Sequence, residues 1–170
     1  MKEALKIVAL CVLAAILYGI AHDMVTAHIA LEYFTIAHAP ILPDPTAVQM
    51  ALIWGVLATW WVGLILGIML ALAARSFGRP PIPASELRKP VAGVMLVAAI
   101  GAVLAGAAAG GLYALGAIDI SPYWAEEIAP GRHQRFVIVA WAHTASYVVG
   151  GLAGLFLIAR TWRIRGALAA

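Results

Sequence analysis

Four apolar runs, each long enough to cross a bilayer as a helix, constrain this chain more than any other feature. A helix that spans the hydrocarbon core needs about 20 predominantly apolar residues. The runs extend over about Ala4–Ala21, Val48–Ala74, Val91–Ala117 and Phe136–Ala159. The last three contain no Asp, Glu, Lys or Arg, and the first contains only Lys6 as a charge. The sequence therefore predicts an all-α integral membrane protein with four transmembrane helices.

Composition excludes the other broad classes. Only 11% of the 170 residues are charged and 64% are hydrophobic, whereas a soluble domain carries about 25% charged residues. A disordered chain is excluded, because disorder requires low hydrophobicity. An outer-membrane barrel is excluded, because it requires ten-residue segments of alternating hydrophobicity and the apolar runs here are continuous. The single cysteine, Cys11, excludes an internal disulfide framework. The formal charge of +3 does not indicate a nucleic-acid partner, because the basic residues lie in short flanks of the apolar runs. The lipid bilayer is the predicted partner.

The distribution of Lys and Arg predicts that both termini are cytoplasmic, in a cell inner (plasma) membrane. Nine of the eleven basic residues lie at the N-terminus, in the segment 75–90 or in the C-terminal tail. The segments 22–47 and 118–135 hold only Arg132 and Arg135, together with six of the eight acidic residues. Because cytoplasmic loops are enriched in Lys and Arg, we assign 75–90 to an inner loop and the other two segments to the outside.

The end of the first run allows a second interpretation. Gly19-Ile20-Ala21 follows a basic start and an apolar stretch, as at a signal-peptide cleavage site. We favour an uncleaved helix, because the stretch Ile7–Ile20 is at the long end for a signal peptide. The following segment, Met24–Ala37, contains no Gly or Pro, and Asp23 can cap it. It predicts a short interfacial helix on the outer surface or a continuation of the first span.

Small residues predict close packing of the spans into one domain, 1–170. Close backbone approach at Gly, Ala and Ser is a common basis of helix association in lipid. Spans two, three and four each carry two glycines four residues apart, Gly63 and Gly67, Gly106 and Gly110, and Gly150 and Gly154. We therefore expect a tight four-helix bundle with the third span central or at an interface.

Histidines gather on one side of the predicted membrane. All five, His22, His28, His38, His133 and His143, fall in or near the outer segments. His143 lies about two turns inside the fourth span, where polar side chains usually face the bundle interior. His28 and Glu32 are four residues apart, so they share one face of a helix. If the first and fourth spans are neighbours, these faces meet just below the outer surface.

This pattern predicts a transition-metal site on the outer face. Imidazole and carboxylate groups together suit Zn, Fe, Mn, Ni or Cu. The predicted ligands are His22, His28, Glu32 and His143, with Asp23 and His38 as additional candidates, and the site is centred on His28 and Glu32. The alternative interpretation is that the outer His and Glu side chains are hydrated interfacial residues, with His143 hydrogen-bonded to a neighbouring helix.

Three other functions stay open at this stage. A structural or accessory subunit of a larger membrane complex fits the small size and the lack of a complete catalytic motif. A b-type haem held by His143 with His22 or His28 is a weaker alternative. A transporter, or a homo-oligomer with a path around His143, is weaker still, because the three long spans have no acidic residue. No enzyme assignment follows from the sequence.

Overall fold

The computed structural model describes residues 1–168, and within that range the fold is all-helical with no strand. The helices are α1 (Lys2–Ile29), α2 (Glu32–Thr35), α3 (Ala47–Leu57), α4 (Trp60–Arg75), α5 (Ala84–Ala114), α6 (Pro122–Glu127) and α7 (His133–Ala167), with a 3-10 turn at Pro130–Arg132. Four stretches are long and apolar enough to cross a membrane: Lys2–Ile29, Ala47–Arg75, Ala84–Ala114 and Pro130–Ala167. The predictions of an all-α fold and of four potential spans are confirmed.

Most helix ends lie beyond the apolar runs, because polar flanks continue the helices, but α5 ends at Ala114, before the end of the predicted run at Ala117. The predicted inner loop 75–90 shrinks to the residues between α4 and α5, and Pro90 lies inside α5. Two contacts start α5 early. The Glu3 carboxylate accepts a hydrogen bond from the Ala84 backbone N–H at 3.2 Å, and Leu87 is buried. A carboxylate at a helix N-terminus accepts a hydrogen bond from a free N–H group, and its negative charge interacts favourably with the helix dipole.

The segment after the first span does not support the predicted interfacial helix. α1 continues to Ile29 and ends at Ala30, whose backbone is extended, and α2 is only four residues long. Phe34 of α2 is 2% exposed. It packs with Ala27 and Met50 in a buried cluster. The segment therefore folds back over the end of the bundle, because an aromatic side chain draws it into the protein.

The four spans form a ring in the order α1, α3–α4, α7, α5. The most extensive contacts are those of α1 with α3 and α4, and those of α5 with α7. α1 also contacts α5, and α4 contacts α7, over shorter stretches. α1 and α7 therefore lie diagonally opposite and approach each other only locally. The bundle consists of two tightly packed helix pairs with a looser seam between them.

Glycines permit the tight packing of α1 against α3 and α4. A Cβ added at Gly55 would lie 2.6 Å from the Ile20 Cα, and one at Gly63 would lie 2.8 Å from the Val12 Cα. Across the other pair, a Cβ at Gly110 would lie 3.0 Å from the Ile138 side chain. The predicted glycine positions of the spans thus face neighbouring helices. The contact at Gly55 was not predicted, since no second glycine lies four residues away.

A buried arginine fastens the opposite end of the bundle from the histidines. Arg165 of α7 is 0% exposed. Its guanidinium donates to four backbone carbonyls at the end of α4 and in the α4–α5 loop, those of Ala73, Ser76, Arg79 and Pro80, at 2.5–2.9 Å. A planar fork of five donors suits such a cluster, and a cation is favoured at a helix C-terminus.

Replacing Gly55 by Ala tests the close helix contact. We expect Gly55→Ala to lower the stability by about 1–3 kcal/mol, because the new methyl group collides with the α1 backbone. The matched control is Gly111→Ala, where nothing lies within 4 Å of the added Cβ. That variant should stay within about 1 kcal/mol of the wild type, on the stabilising side. Apparent Tm in detergent measures both, and equal Tm values for the two variants would contradict the packing.

Replacing Arg165 tests the clamp. Arg165→Met leaves four carbonyls without their donor, so we expect a loss on the order of 3 kcal/mol, since bonds to charged groups contribute about 1.5–3 kcal/mol each and act together here. Arg165→Lys should also be destabilised, because one ammonium cannot reach four carbonyls in fork geometry. The control is Arg163→Met at an exposed position of the same helix. Unfolding in detergent that shifts equally for Arg163→Met and Arg165→Met would refute the clamp.

Candidate metal centre

The diagonal helices α1 and α7 approach each other where three side chains that could ligate a metal lie together, a set that we call the metal-ligand group. His22 and Asp23 of α1 and His143 of α7 each offer one ligand atom within 4.8 Å of the others. Asp23 is 4% exposed and His143 is 8% exposed. The His22 ring meets the His143 ring edge-on, with centroids 4.5 Å apart. Of the residues that the structure describes, this is the one group with such geometry.

Helical periodicity explains why α1 carries polar groups to the interior. Its buried residues follow every third or fourth position, Ile7, Cys11, Ala15, Gly19, Asp23 and Thr26, with Ala27 beside the last. Residues at such spacing form one face of a helix. Asp23 and Thr26 continue the apolar stripe that packs the bundle, so the same face that holds α1 in place also delivers the carboxylate and the hydroxyl.

Thr26 and Asp23 contact the same ring nitrogen of His143. The Thr26 hydroxyl shares a hydrogen bond with His143 Nε2 at 3.1 Å. It also lies 3.1 Å from the His22 carbonyl, to which it can donate. The Asp23 carboxylate approaches His143 Nε2 at 3.7 Å. These contacts hold the imidazole across the bundle axis.

Aromatic side chains of α2 cover the group on the side of His143. The Tyr33 ring lies 4.4 Å from that of His143, and the Phe34 ring lies 5.4 Å from it. Burial, followed by the charges of Tyr147 and Asp23, raises the pKa of Tyr33 to about 12. Tyr33 therefore stays neutral at physiological pH and can act as a hydrogen-bond donor.

Three buried polar atoms near this end have no hydrogen-bond partner within residues 1–168. They are His22 Nε2, Trp54 Nε1 and Glu32 Oε2. Buried polar atoms are nearly always paired, and an unpaired one signals a catalytic role or an unseen water or ion. His22 and Trp54 both line the central cavity described below.

The structure does not bring His28 and Glu32 into the group. His28 is exposed, and its Nδ1–H donates to the Met24 carbonyl of its own helix at 2.6 Å. Six residues after His22, it points about 120° away around α1. Glu32 lies beyond the break at Ala30, so the four-residue spacing from His28 no longer places the two together. Its carboxylate lies 3.5 Å from the guanidinium of Arg132.

His38 lies beside the group without joining it. Its Nδ1–H donates to the Tyr33 carbonyl at 2.7 Å, and its ring packs 4.7 Å from that of Trp54. Sequence reasoning did not assign a role to Thr26, Tyr33 or Trp54. Thr26 shares a helix face with His22, which could have indicated it, but the contacts of Tyr33 and Trp54 depend on the fold of the connecting segment.

A narrow cavity of about 130 Å³ leads from the group into the seam between the two helix pairs. Its polar end includes Tyr18 and Ser146, which share a hydrogen bond of 2.7 Å. It passes the break between α3 and α4, where the Tyr147 hydroxyl donates to the Ala58 carbonyl at 3.1 Å. The metal-ligand group thus opens onto an internal space and not onto a flat surface.

The fold and the site together define a polytopic helical membrane protein with a buried His/Asp group. Comparisons of the chain with protein-family models, with curated proteins and with solved structures gave no match.

Proposed function

We propose that this is a membrane protein that binds a divalent transition-metal ion through His22, Asp23 and His143. One observation carries the proposal: a carboxylate that is 4% exposed lies against two imidazoles inside an apolar bundle. Buried charges are normally paired or coordinate a metal. Among the described residues that line the adjoining cavity there is no Lys or Arg. A bound cation neutralises Asp23 and engages the unpartnered His22 nitrogen at the same time.

The types of ligand restrict which metal ions suit the site. Two histidines and one carboxylate with open positions are typical of non-haem Fe(II) sites and of catalytic zinc sites. Ligand atoms around a tetrahedral ion at about 2.1 Å lie about 3.4 Å apart. The His143–Asp23 pair is already near this value at 3.7 Å, and all the ligand atoms lie within 4.8 Å of one another, a spacing that side-chain rotation can shorten. Within the predicted set of Zn, Fe, Mn, Ni and Cu, the geometry favours Fe(II) or Zn.

The contacts around His143 support this role. Thr26 and Asp23 approach the same nitrogen, so a metal that binds His143 Nε2 takes the place of the Thr26 hydroxyl there. The hydroxyl then keeps its second contact, with the His22 carbonyl. The aromatic rings of Tyr33 and Phe34 fix the plane of the imidazole. Such packing favours a ligand held in one orientation, which raises metal affinity.

Metal analysis of the detergent-purified protein tests the proposal. Stoichiometric Fe or Zn should be present in the wild type. The variants His22→Ala, His143→Ala and Asp23→Asn should each bind the metal more weakly. Loss of a residue that only supports a ligand typically lowers metal affinity 10–100-fold, so loss of a ligand itself should lower it further. Thr26→Val should bind metal at least as well, because it removes the competitor for His143 Nε2.

His28→Ala is the matched control, since His28 lies on the same helix but is exposed and bonds its own backbone. It should retain the metal of the wild type. A metal-free wild type after reconstitution with Fe(II) or Zn, or loss of metal in His28→Ala alone, would refute the assignment. The second result would return the centre of the site to His28 and Glu32.

The contact between the His22 and His143 rings also bears on the alternative functions. The His22 and His143 rings are in direct edge contact, so a haem between them requires the rings to separate, which disfavours a b-type haem. The role of an accessory subunit stays a prediction, and co-purification of one larger complex with metal-free protein would favour it. A transporter stays the weakest alternative.

We also propose that the histidine end faces away from the cytoplasm. The support is the bias of Lys and Arg toward the other end of the bundle, where Arg79 of the α4–α5 loop donates to the Trp162 carbonyl of α7 and Arg165 of α7 donates to the Ser76 carbonyl of the loop. The metal would then come from outside the cell membrane.

Cysteine labelling tests this orientation. In a Cys11→Ser background, Ser121→Cys precedes α6 and Ser85→Cys lies in the first turn of α5, both at exposed positions. A membrane-impermeant maleimide added to intact bacterial cells should label Ser121→Cys and leave Ser85→Cys unlabelled until the cells are lysed. The reverse pattern would invert the orientation while leaving the metal proposal intact.

A further inference from the structure

The central cavity extends well past the metal-ligand group. Along α1 its lining runs from Asp23 to Cys11, twelve residues, or about 18 Å at 1.5 Å per residue. At the far end the lining residues are apolar and come from three other helices, Leu70, Val91 and Leu157. The cavity, which is partly open and which we call the tunnel, therefore has one polar end and one hydrocarbon-like end.

The polar end of the cavity presents a hydrogen-bond donor that has no acceptor. Trp54 lines the cavity, and its indole Nε1–H is buried with no partner within residues 1–168. The indole group can only donate. Leaving a buried donor unpaired is costly, so an occupant that accepts a hydrogen bond is favoured there.

The charge of the lining selects a neutral head. No Lys or Arg is among the described residues that line the cavity, so no basic side chain there can pair with an anionic head. A buried anion without a basic partner is disfavoured. Tyr33, His38 and Trp54 surround this end with flat rings, and His38 packs on Trp54. Aromatic walls favour a planar occupant.

We propose that this tunnel binds a membrane-soluble quinone, with a ring carbonyl accepting from Trp54 Nε1–H and the hydrocarbon chain lying along the apolar part. The cavity volume of about 130 Å³ is close to the 150 Å³ that accommodates one benzene ring in an engineered protein, so it matches the ring alone. The chain would lie along the side of the cavity that is open. The inference does not rest on metal binding, because Trp54 and the apolar lining are not metal ligands.

Gly151 offers a way to block the tunnel. It lines the cavity, and an added Cβ there would meet nothing within 4 Å. Gly151→Leu therefore adds bulk at the lining from a position where the first added carbon has open space. Gly93→Leu is the matched control, since Gly93 is an equally open helical position outside the lining.

The experiment titrates detergent-purified protein with a benzoquinone carrying a ten-carbon chain, with decanoic acid and with decane. We expect saturable quinone binding that weakens about tenfold in Trp54→Phe, the effect of one hydrogen bond. Gly151→Leu should abolish binding, and Gly93→Leu should keep it within about twofold, as for a surface substitution. Decanoic acid and decane should bind much more weakly than the quinone.

Several outcomes would overturn the inference. Equal binding of decanoic acid would show a charged head, and equal binding of decane would show that the head is not recognised. Absence of saturable quinone binding, or binding that both Trp54→Phe and Gly151→Leu leave unchanged, would reject the tunnel as a quinone site. Metal content, measured in parallel, should equal that of the wild type in both variants. A wild type that binds quinone but stays metal-free after reconstitution with Fe(II) or Zn would reject the metal proposal and keep this one.

Discussion

Close approach of the α1 backbone to α3 and α4 is the contact on which the rest of the structure depends. At Gly55 and Gly63 a single added carbon would collide with α1 main-chain atoms. Apolar side chains gain little from leaving lipid for a protein neighbour, so shape complementarity at small residues must hold the helices together. This pair and the α5–α7 pair are each tight, and the seam between them is left with the cavity. The same face of α1 then presents Asp23 and Thr26 to that seam.

Buried polar groups are hydrogen-bonded at one end of the bundle and only partly hydrogen-bonded at the other. Arg165 is fully buried and donates to four carbonyls, so its hydrogen-bonding capacity is largely used by the protein itself. At the other end, a carboxylate lies 3.7 Å from an imidazole, and two ring nitrogens, one on His22 and one on Trp54, have no partner among the described residues. A satisfied network rigidifies a fold, whereas a partly satisfied one indicates a ligand. The first end is therefore structural, and the second is the place to look for function.

Periodicity and composition predicted the class of fold, because the length of an apolar run and its lack of charge determine whether it can span a membrane. They also indicated the histidine-rich end and His143 as an interior residue. They failed for His28 and Glu32, because helical spacing applies only within one helix and the chain breaks at Ala30. The condition that the first and fourth spans are neighbours holds only locally, because α1 and α7 are diagonal helices that approach each other at the metal-ligand group. No pattern in the sequence shows how two helices from opposite ends of the chain are paired.

The break between α3 and α4 connects these observations. Irregular backbone inside a membrane-spanning stretch is tolerated only where protein or a water-filled cavity covers it. Here Ala58 and Thr59 line the cavity. The Ala58 carbonyl is covered by the Tyr147 hydroxyl, and the Thr59 hydroxyl donates to the Gly55 carbonyl. The glycine that allows α1 to approach is thus also tied to the break that shapes the cavity wall. A rigid contact and an internal space arise from the same few residues, which is how a small bundle can hold a site open without losing its packing.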